Sequence, residues 1–401
     1  MRVGVVWNAN ARLTGITVRF ERYLRGLRAL GHDAFAVCTR EAAQGFEEPT
    51  LAASSLADFV SPAYWRSLDL DAAFVITWLG MPDVLRALKG ACPWVVSLAD
   101  SDGQVGTRAH PGSTFRRMVR GQLHWRAKLG AAKFWAELYY EGPRAVQHVI
   151  ESASLADLVV FGADLPKMHF EHFLAKSGRL DLKRKLSVVL YPVDDCFLDA
   201  DVRTDREDAV VAIGRWDDPQ KDAGLLSSGI ARYLARGART SFYVFGRGGE
   251  RWFVPLSRQY PQVRYLGVQP PLVIAERLGR SRILLFSSMW EGSPVSANEA
   301  LASGCTLVAP SYVPSLRSFC EAGAGTCFRG RRAERLASAI ETETRAWARG
   351  ERVPSAIASV WRPQVDPVAV ARALLPVSER GGGQRAHGLA RESGSCKSPA
   401  A

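Results

Sequence analysis

The chain has 401 residues, 47% of them hydrophobic and 23% charged, with a formal net charge of +12. That length exceeds one comfortable hydrophobic core and predicts two domains with a cleft between them. No apolar run approaches the ~18 residues that cross a bilayer, and Met1-Arg-Val-Gly-Val-Val-Trp-Asn lacks a small-residue cleavage site, so a cytoplasmic protein without a membrane span is expected.

The first half alternates short apolar runs with amphipathic stretches, the pattern of parallel strands crossed by helices. Val3 to Trp7 reads as the first strand, Asn8 to Gly15 as a turn-rich loop, and Thr17 to Leu30 as a helix ended by Gly31. Strands follow at Asp33 to Cys38, Ala72 to Thr77, Trp94 to Leu98, Leu158 to Gly162 and Leu186 to Leu190. Tyr191-Pro-Val-Asp-Asp then breaks the pattern. A second series runs through Val210 to Ile213, Ser241 to Phe245, Val263 to Leu266, Ile283 to Phe286 and Thr306 to Val308. It repeats the architecture without repeating the sequence. From Ser378 the chain is rich in Gly, Ser, Arg and Ala and reads as a disordered tail over 378–401.

The basic excess favours anionic partners: nucleic acid, acidic phospholipid or phosphorylated substrates. No RNA-recognition, zinc-finger or helix-turn-helix signature occurs, so nucleic acid is not an expected partner. The cysteines (Cys38, Cys92, Cys196, Cys305, Cys320, Cys327, Cys396) form no Cys-x-x-Cys and have no His at zinc-ligand spacing, and are expected to be free thiols.

One segment carries most of the chemistry. Ile283-Leu-Leu-Phe-Ser-Ser-Met-Trp-Glu-Gly-Ser-Pro-Val-Ser-Ala-Asn-Glu-Ala-Leu-Ala-Ser-Gly304 reads as a buried strand, a Gly/Ser/Pro turn and a short helix. Such a turn aims free backbone N–H groups and a helix dipole at an anion. Glu291 lies on the turn and Glu299 in the helix. Ser296-Ala-Asn-Glu299 also fits a capping box, in which Glu299 satisfies the cap residue's N–H. Glu291 alone reads equally as a solvated turn residue.

Glu291 and Glu299, followed by Ala300-Leu-Ala-Ser-Gly-Cys-Thr-Leu-Val-Ala-Pro310, resemble the E-x7-E motif of family 4 glycosyltransferases, the retaining group 1 enzymes of GT-B fold. Val211-Ala-Ile-Gly-Arg-Trp-Asp-Asp-Pro-Gln-Lys221 is similar to the family's Arg/Lys diphosphate loop, Tyr243-Val-Phe-Gly-Arg-Gly-Gly249 to its next strand and glycine turn, and Val263-Arg-Tyr-Leu-Gly267 to its nucleobase-side strand. The likeness covers residues 210–330 well and the first domain loosely. It implies an α/β protein with two Rossmann-like, doubly wound parallel-sheet domains facing a cleft. The implied division is an acceptor domain over 1–190, a nucleotide-sugar domain over 191–360 and a crossover helix over 361–377.

The same resemblance implies a retaining, metal-independent transfer of sugar from a UDP- or GDP-linked donor to a glycan or lipid-linked acceptor, in cell-surface polysaccharide or glycoconjugate synthesis. No cofactor or metal is implied beyond the nucleotide-diphosphate sugar itself. Departing phosphate needs cationic stabilisation, which Arg215 and Lys221 would supply. Glu299 would accept from the ribose hydroxyls and Glu291 would contact the transferred sugar. Backbone amides over Ser293, Pro294 and Val295 would complete the phosphate cradle, with Gly214 and Gly246 at the strand ends. Gly15 is what remains of the family's first glycine turn.

Asp100, in Ala99-Asp-Ser-Asp-Gly103, stands where family members have a histidine or aspartate beside the sugar. Three readings of it stay open: orientation of a hydroxyl, an Asp-x-Asp metal site with Asp102, or a simple Asp/Gly turn. His110 reads as a loop histidine. Between Arg108 and Tyr140, basic residues mix with Phe115, Trp125, Leu129 and Trp135, which fits either a half-buried helix or one lying on an anionic membrane surface at the inner face of the cell membrane. The rival functions are another GT-B enzyme, such as a sugar-nucleotide epimerase or an inverting transferase, and a nucleotide-binding relative with a decayed acceptor site.

Overall fold

The computed structural model describes residues 1–7, 14–39, 50–53, 55–77, 81–99, 125–140 and 142–379, with single positions at 112, 115, 116 and 119. Two all-parallel sheets build it. The first joins β1 (Arg2–Trp7), β2 (Asp33–Thr39), β3 (Thr50–Ala53), β4 (Ala72–Thr77), β5 (Trp94–Ala99), β6 (Leu158–Phe161) and β7 (Leu186–Val188) in the order β3-β2-β1-β4-β5-β6-β7. The second joins β8 (Ala209–Ile213), β9 (Ser241–Phe245), β10 (Val263–Gly267), β11 (Ile283–Leu285), β12 (Thr306–Pro310) and β13 (Gly325–Phe328) in the order β10-β9-β8-β11-β12-β13.

Central strands such as β4 and β12 are buried at every position, because helices cover both faces of the sheet. That is why they read as unbroken apolar runs. β3 and β13 lie at sheet edges and were not expected from the sequence. Thr-Leu-Ala-Ala and Gly-Thr-Cys-Phe are too short, and carry too few large apolar side chains, to announce a strand.

In each sheet the strand order reverses once, between β1 and β4 and between β8 and β11. Ligands of open α/β sheets lie outside the carboxyl ends of the strands at this switch point. The second sheet therefore directs attention to the segments leaving β8 and β11.

Helix α1 (Thr14–Ala29) follows β1 and covers the first sheet. Its first residues include Gly15, so this glycine is helical rather than part of the expected loop. At the other end of the chain, α2 (Pro354–Val365) lies on the second domain, and α3 (Pro367–Leu374) crosses back to pack on α1. Asp366 caps α3 by accepting from Ala369 N at 2.8 Å. Val370, Ala371, Leu374 and Leu375 are fully buried among the residues of β1, β4 and α1. The valine and the two leucines each contribute roughly 1.5–3 kcal/mol of transfer free energy. Gly26 allows the two helices to meet: a Cβ there would fall 2.0 Å from the Pro367 carbonyl oxygen.

Candidate functional site

Leaving β8, the chain is anchored by Trp216. Its ring is buried against Phe253 and lies over Gly214, its Nε1 donates to Phe245 O at 2.9 Å, and its amide donates to Arg247 O at 2.8 Å. Gly246 sits beneath this turn at φ +113°, where a Cβ would stand 1.8 Å from Gly214 O, so this position requires glycine's bare Cα, and a Cβ on Gly214 would press on the Trp216 ring at 3.1 Å. The anchored tryptophan turns its neighbour outward. Arg215 is 56% exposed and donates to Asp218 Oδ2 at 2.9 Å.

Lys221 goes the other way. Its Nζ donates to Glu291 Oε1 at 2.5 Å, and Gln220 Nε2 reaches Glu291 Oε2 at 3.1 Å and Trp290 O at 2.7 Å. Backbone bonds complete the seam, with Met289 N on Gln220 O at 2.7 Å and Ser287 Oγ on Lys221 O at 2.6 Å. Glu291 is only 6% exposed. Of the two readings of Glu291, burial removes that of a solvated turn carboxylate; in place of two cations converging, the structure pairs Lys221 with Glu291 and leaves Arg215 outside with Asp218.

Next to Lys221, Asp222 holds a left-handed φ of +45°, accepts from Leu225 N at 3.2 Å to cap the following helix, and pairs with the Arg331 guanidinium. Burial pushes the Asp222 carboxyl above its usual range, against the pull of Arg331. This pair fixes the backbone on which Lys221 stands.

Leaving β11, the chain passes Glu291 and Ser293 and enters α4 (Val295–Ala302). Pro294 occupies the cap position and no side chain caps the helix, so the expected capping box is not formed. Ser296 is already inside the helix and Glu299 lies a full turn in. Ala297 N already donates to Pro294 O at 2.9 Å, and the N–H groups of Val295 and Ser296, with no side-chain cap, face an incoming anion. Pro294 has no N–H, so a phosphate cradle here draws on Ser293, Val295 and Ser296 but not on Pro294.

Two contacts bring the first domain to this turn. Ser293 Oγ donates to Gly162 O at 3.1 Å at the end of β6, and a Cβ on Gly162 would lie 2.3 Å from the Ser293 side chain. Asn298 Nδ2 donates to Tyr191 O at 2.9 Å in the interdomain crossing. Glu299 is bound by a residue that sequence reasoning missed: Arg22 of α1, at 2.8 Å. Burial raises the Glu299 carboxyl above its usual range, while the Arg22 charge draws it back. Arg19, Arg22, Arg25 and Arg28 recur every third residue in the sequence, and nothing local singles out the second. Asp100, Asp102 and His110 lie outside the described residues.

Residues 207–343 match the family profile described as Glycosyl transferases group 1. No curated protein matches the chain. Among solved structures, a glycosyltransferase from Rickettsia africae ESF-5 is similar at a TM-score of 0.61 and 12% identity, over 93% of this chain and 96% of that one. Anabaena Alr3699/HepE, in complex with UDP and glucose, gives 0.57 and 14% over 93% and 98%. A putative UDP-N-acetylglucosamine 2-epimerase from Listeria monocytogenes gives 0.54 and 11% over 93% and 94%. The chain thus has the GT-B fold, and the residues that match the glycosyl transferases group 1 profile, 207–343, lie in its second domain.

Proposed function

We propose that this protein transfers a glycosyl unit from a nucleotide-diphosphate sugar to a glycan or lipid-linked acceptor, with retained anomeric configuration and without a metal ion. The observation that carries the reading is the meeting, at the switch point of the second sheet, of Lys221, Glu291 and the uncapped start of α4. A half-buried cation and helix N–H groups left without a side-chain cap suit the charge that a departing diphosphate develops. Arg215, exposed at the mouth of the same loop, is placed to swing onto a phosphate as a fork. Glu299 serves the ribose. Glu291 holds Lys221 and meets hydroxyls of the transferred sugar. Asp100 is assigned to the sugar or the acceptor by resemblance alone.

The test is turnover of a nucleotide-sugar panel by the purified chain in EDTA, followed by nuclear magnetic resonance of the product. Released nucleoside diphosphate and a product with the donor's anomeric configuration are expected. Activity abolished by EDTA would restore the metal reading of Asp100 and Asp102. The fold is also shared with a putative epimerase, which supplies a second reading; conversion of the donor sugar without transfer would select it.

On the acceptor side, no described helix is long and apolar enough to cross a membrane. The helix Trp125–Tyr140 leaves Trp125 (65%), Leu129 (61%) and Tyr140 (76%) exposed, with Lys128 and Lys133 on its flanks. These support docking on an anionic lipid surface at the inner face of the cell membrane. Co-sedimentation with phosphatidylglycerol vesicles at low salt, lost at high salt, is expected; absence of binding at low salt would end that reading.

A further inference from the structure

Arg22 is 3% exposed on α1 of the first domain, and its guanidinium has three recorded acceptors. Nη1 donates to Pro192 O at 3.1 Å, and Nη2 donates to Asp194 Oδ2 at 2.6 Å and to Glu299 Oε1 at 2.8 Å. Two of these acceptors belong to the interdomain crossing and the third to α4. One side chain therefore joins the first domain, the crossing and the helix that begins the anion site.

Arg25, one turn further along α1, reinforces the junction by donating to Val193 O at 3.1 Å and pairing with Asp195 at 3.1 Å and Asp194 at 3.7 Å. Among the described residues, the charged groups that act on Glu299 are Arg22 from α1 and Asp194 from the crossing, with Arg25 and Asp195 paired just beyond them. The Cys196 thiol beside them is pushed up to about 11 by burial. Glu299 Oε2 takes no hydrogen bond from a described residue.

We propose that Arg22 is a positioning residue of the nucleotide site: it holds Glu299 by one carboxylate oxygen, leaves the other for the donor's ribose, and makes the site complete only while the two domains are docked. The proposal rests on the reading of Glu299 as a ribose ligand. Its physical basis is the cost of a buried charge. A carboxylate taken out of water protonates unless a counter-charge holds it ionised, and a protonated carboxyl loses acceptor capacity toward the ribose hydroxyls. Nucleotide binding then requires the carboxylate, which is lost as pH falls through its titration. Removing Arg22 raises that titration, so the acid-side loss of affinity moves to higher pH.

The experiment titrates the full chain with UDP, GDP and ADP from about pH 5 to pH 8.5, using for the variants whichever nucleotide binds the wild type. Arg22→Gln is expected to bind about tenfold or more weakly at neutral pH, the usual effect of losing a charged hydrogen bond, and to lose affinity at higher pH than the wild type. Arg22→Lys keeps the charge without the fork, so its acid limb stays with the wild type while its affinity falls between the two. In a Glu299→Gln background, Arg22→Gln adds no further pH dependence. Should Arg22→Gln fail to fold, Asp194→Asn is the second variant: removing a neighbouring anion moves the acid limb to lower pH. An acid limb unmoved in Arg22→Gln, or in Asp194→Asn, overturns the proposal while leaving the nucleotide site standing. No binding of any nucleotide by the wild type, or affinity unchanged by Glu299→Gln, would instead overturn the parent reading and this inference with it.

Discussion

Lys221→Ala is expected to lower stability by about 3 kcal/mol and to reduce turnover by about a hundredfold or more, estimates drawn from broken buried ion pairs and from lost oxyanion donors. The two effects have separate origins. Stability falls because Glu291, 6% exposed, keeps among the described side chains only the Gln220 amide as a partner once the ammonium is gone. Turnover falls because the cation held by Glu291, on the turn that leads into α4, no longer meets the departing phosphate. Adding Glu291→Gln should therefore recover much of the stability and none of the turnover, a non-additivity that a double-mutant cycle reads directly. Arg215→Ala supplies the contrast. Its exposed pair with Asp218 is worth at most about 1 kcal/mol, so activity should drop with little change in melting temperature. Wild-type turnover by Lys221→Ala would remove the lysine from the mechanism.

Much of the second domain was legible in the sequence, because buried parallel strands are continuous apolar runs, and those leaving β8, β9 and β11 run into glycine-bearing turns. Ile283-Leu-Leu and Thr306-Leu-Val-Ala-Pro could hardly be misplaced, whereas the edge strands Thr50–Ala53 and Gly325–Phe328 were missed for want of large apolar side chains. Local capping was misjudged. Ser296 has the right chemistry for a cap, but Pro294, whose φ is already fixed near the helical value, starts the helix two residues sooner.

The largest gap concerns partners rather than positions. Glu291 reads as a turn carboxylate until Lys221, 70 residues earlier, is brought onto it. Glu299 reads as a capping residue until Arg22 arrives from 277 residues away. Periodicity locates a side chain on its own element and says nothing of what another domain will place opposite. The first domain was less legible for a related reason: its loops carry few of the motifs that the second domain displays in order.

The central claim is that the turn between β11 and α4, with Lys221 and Glu291 behind it, holds a nucleoside diphosphate. Calorimetric titration of the wild type with UDP, GDP and ADP in EDTA tests it most directly. One site per chain is expected for at least one nucleotide, and binding should stabilise the fold through mass action, by about 2.7 kcal/mol at a hundred times Kd, and so raise the melting temperature. The same titration of Lys221→Ala should be much weaker. Binding of none of the three, or undiminished binding by both Lys221→Ala and Arg215→Ala, would contradict the account.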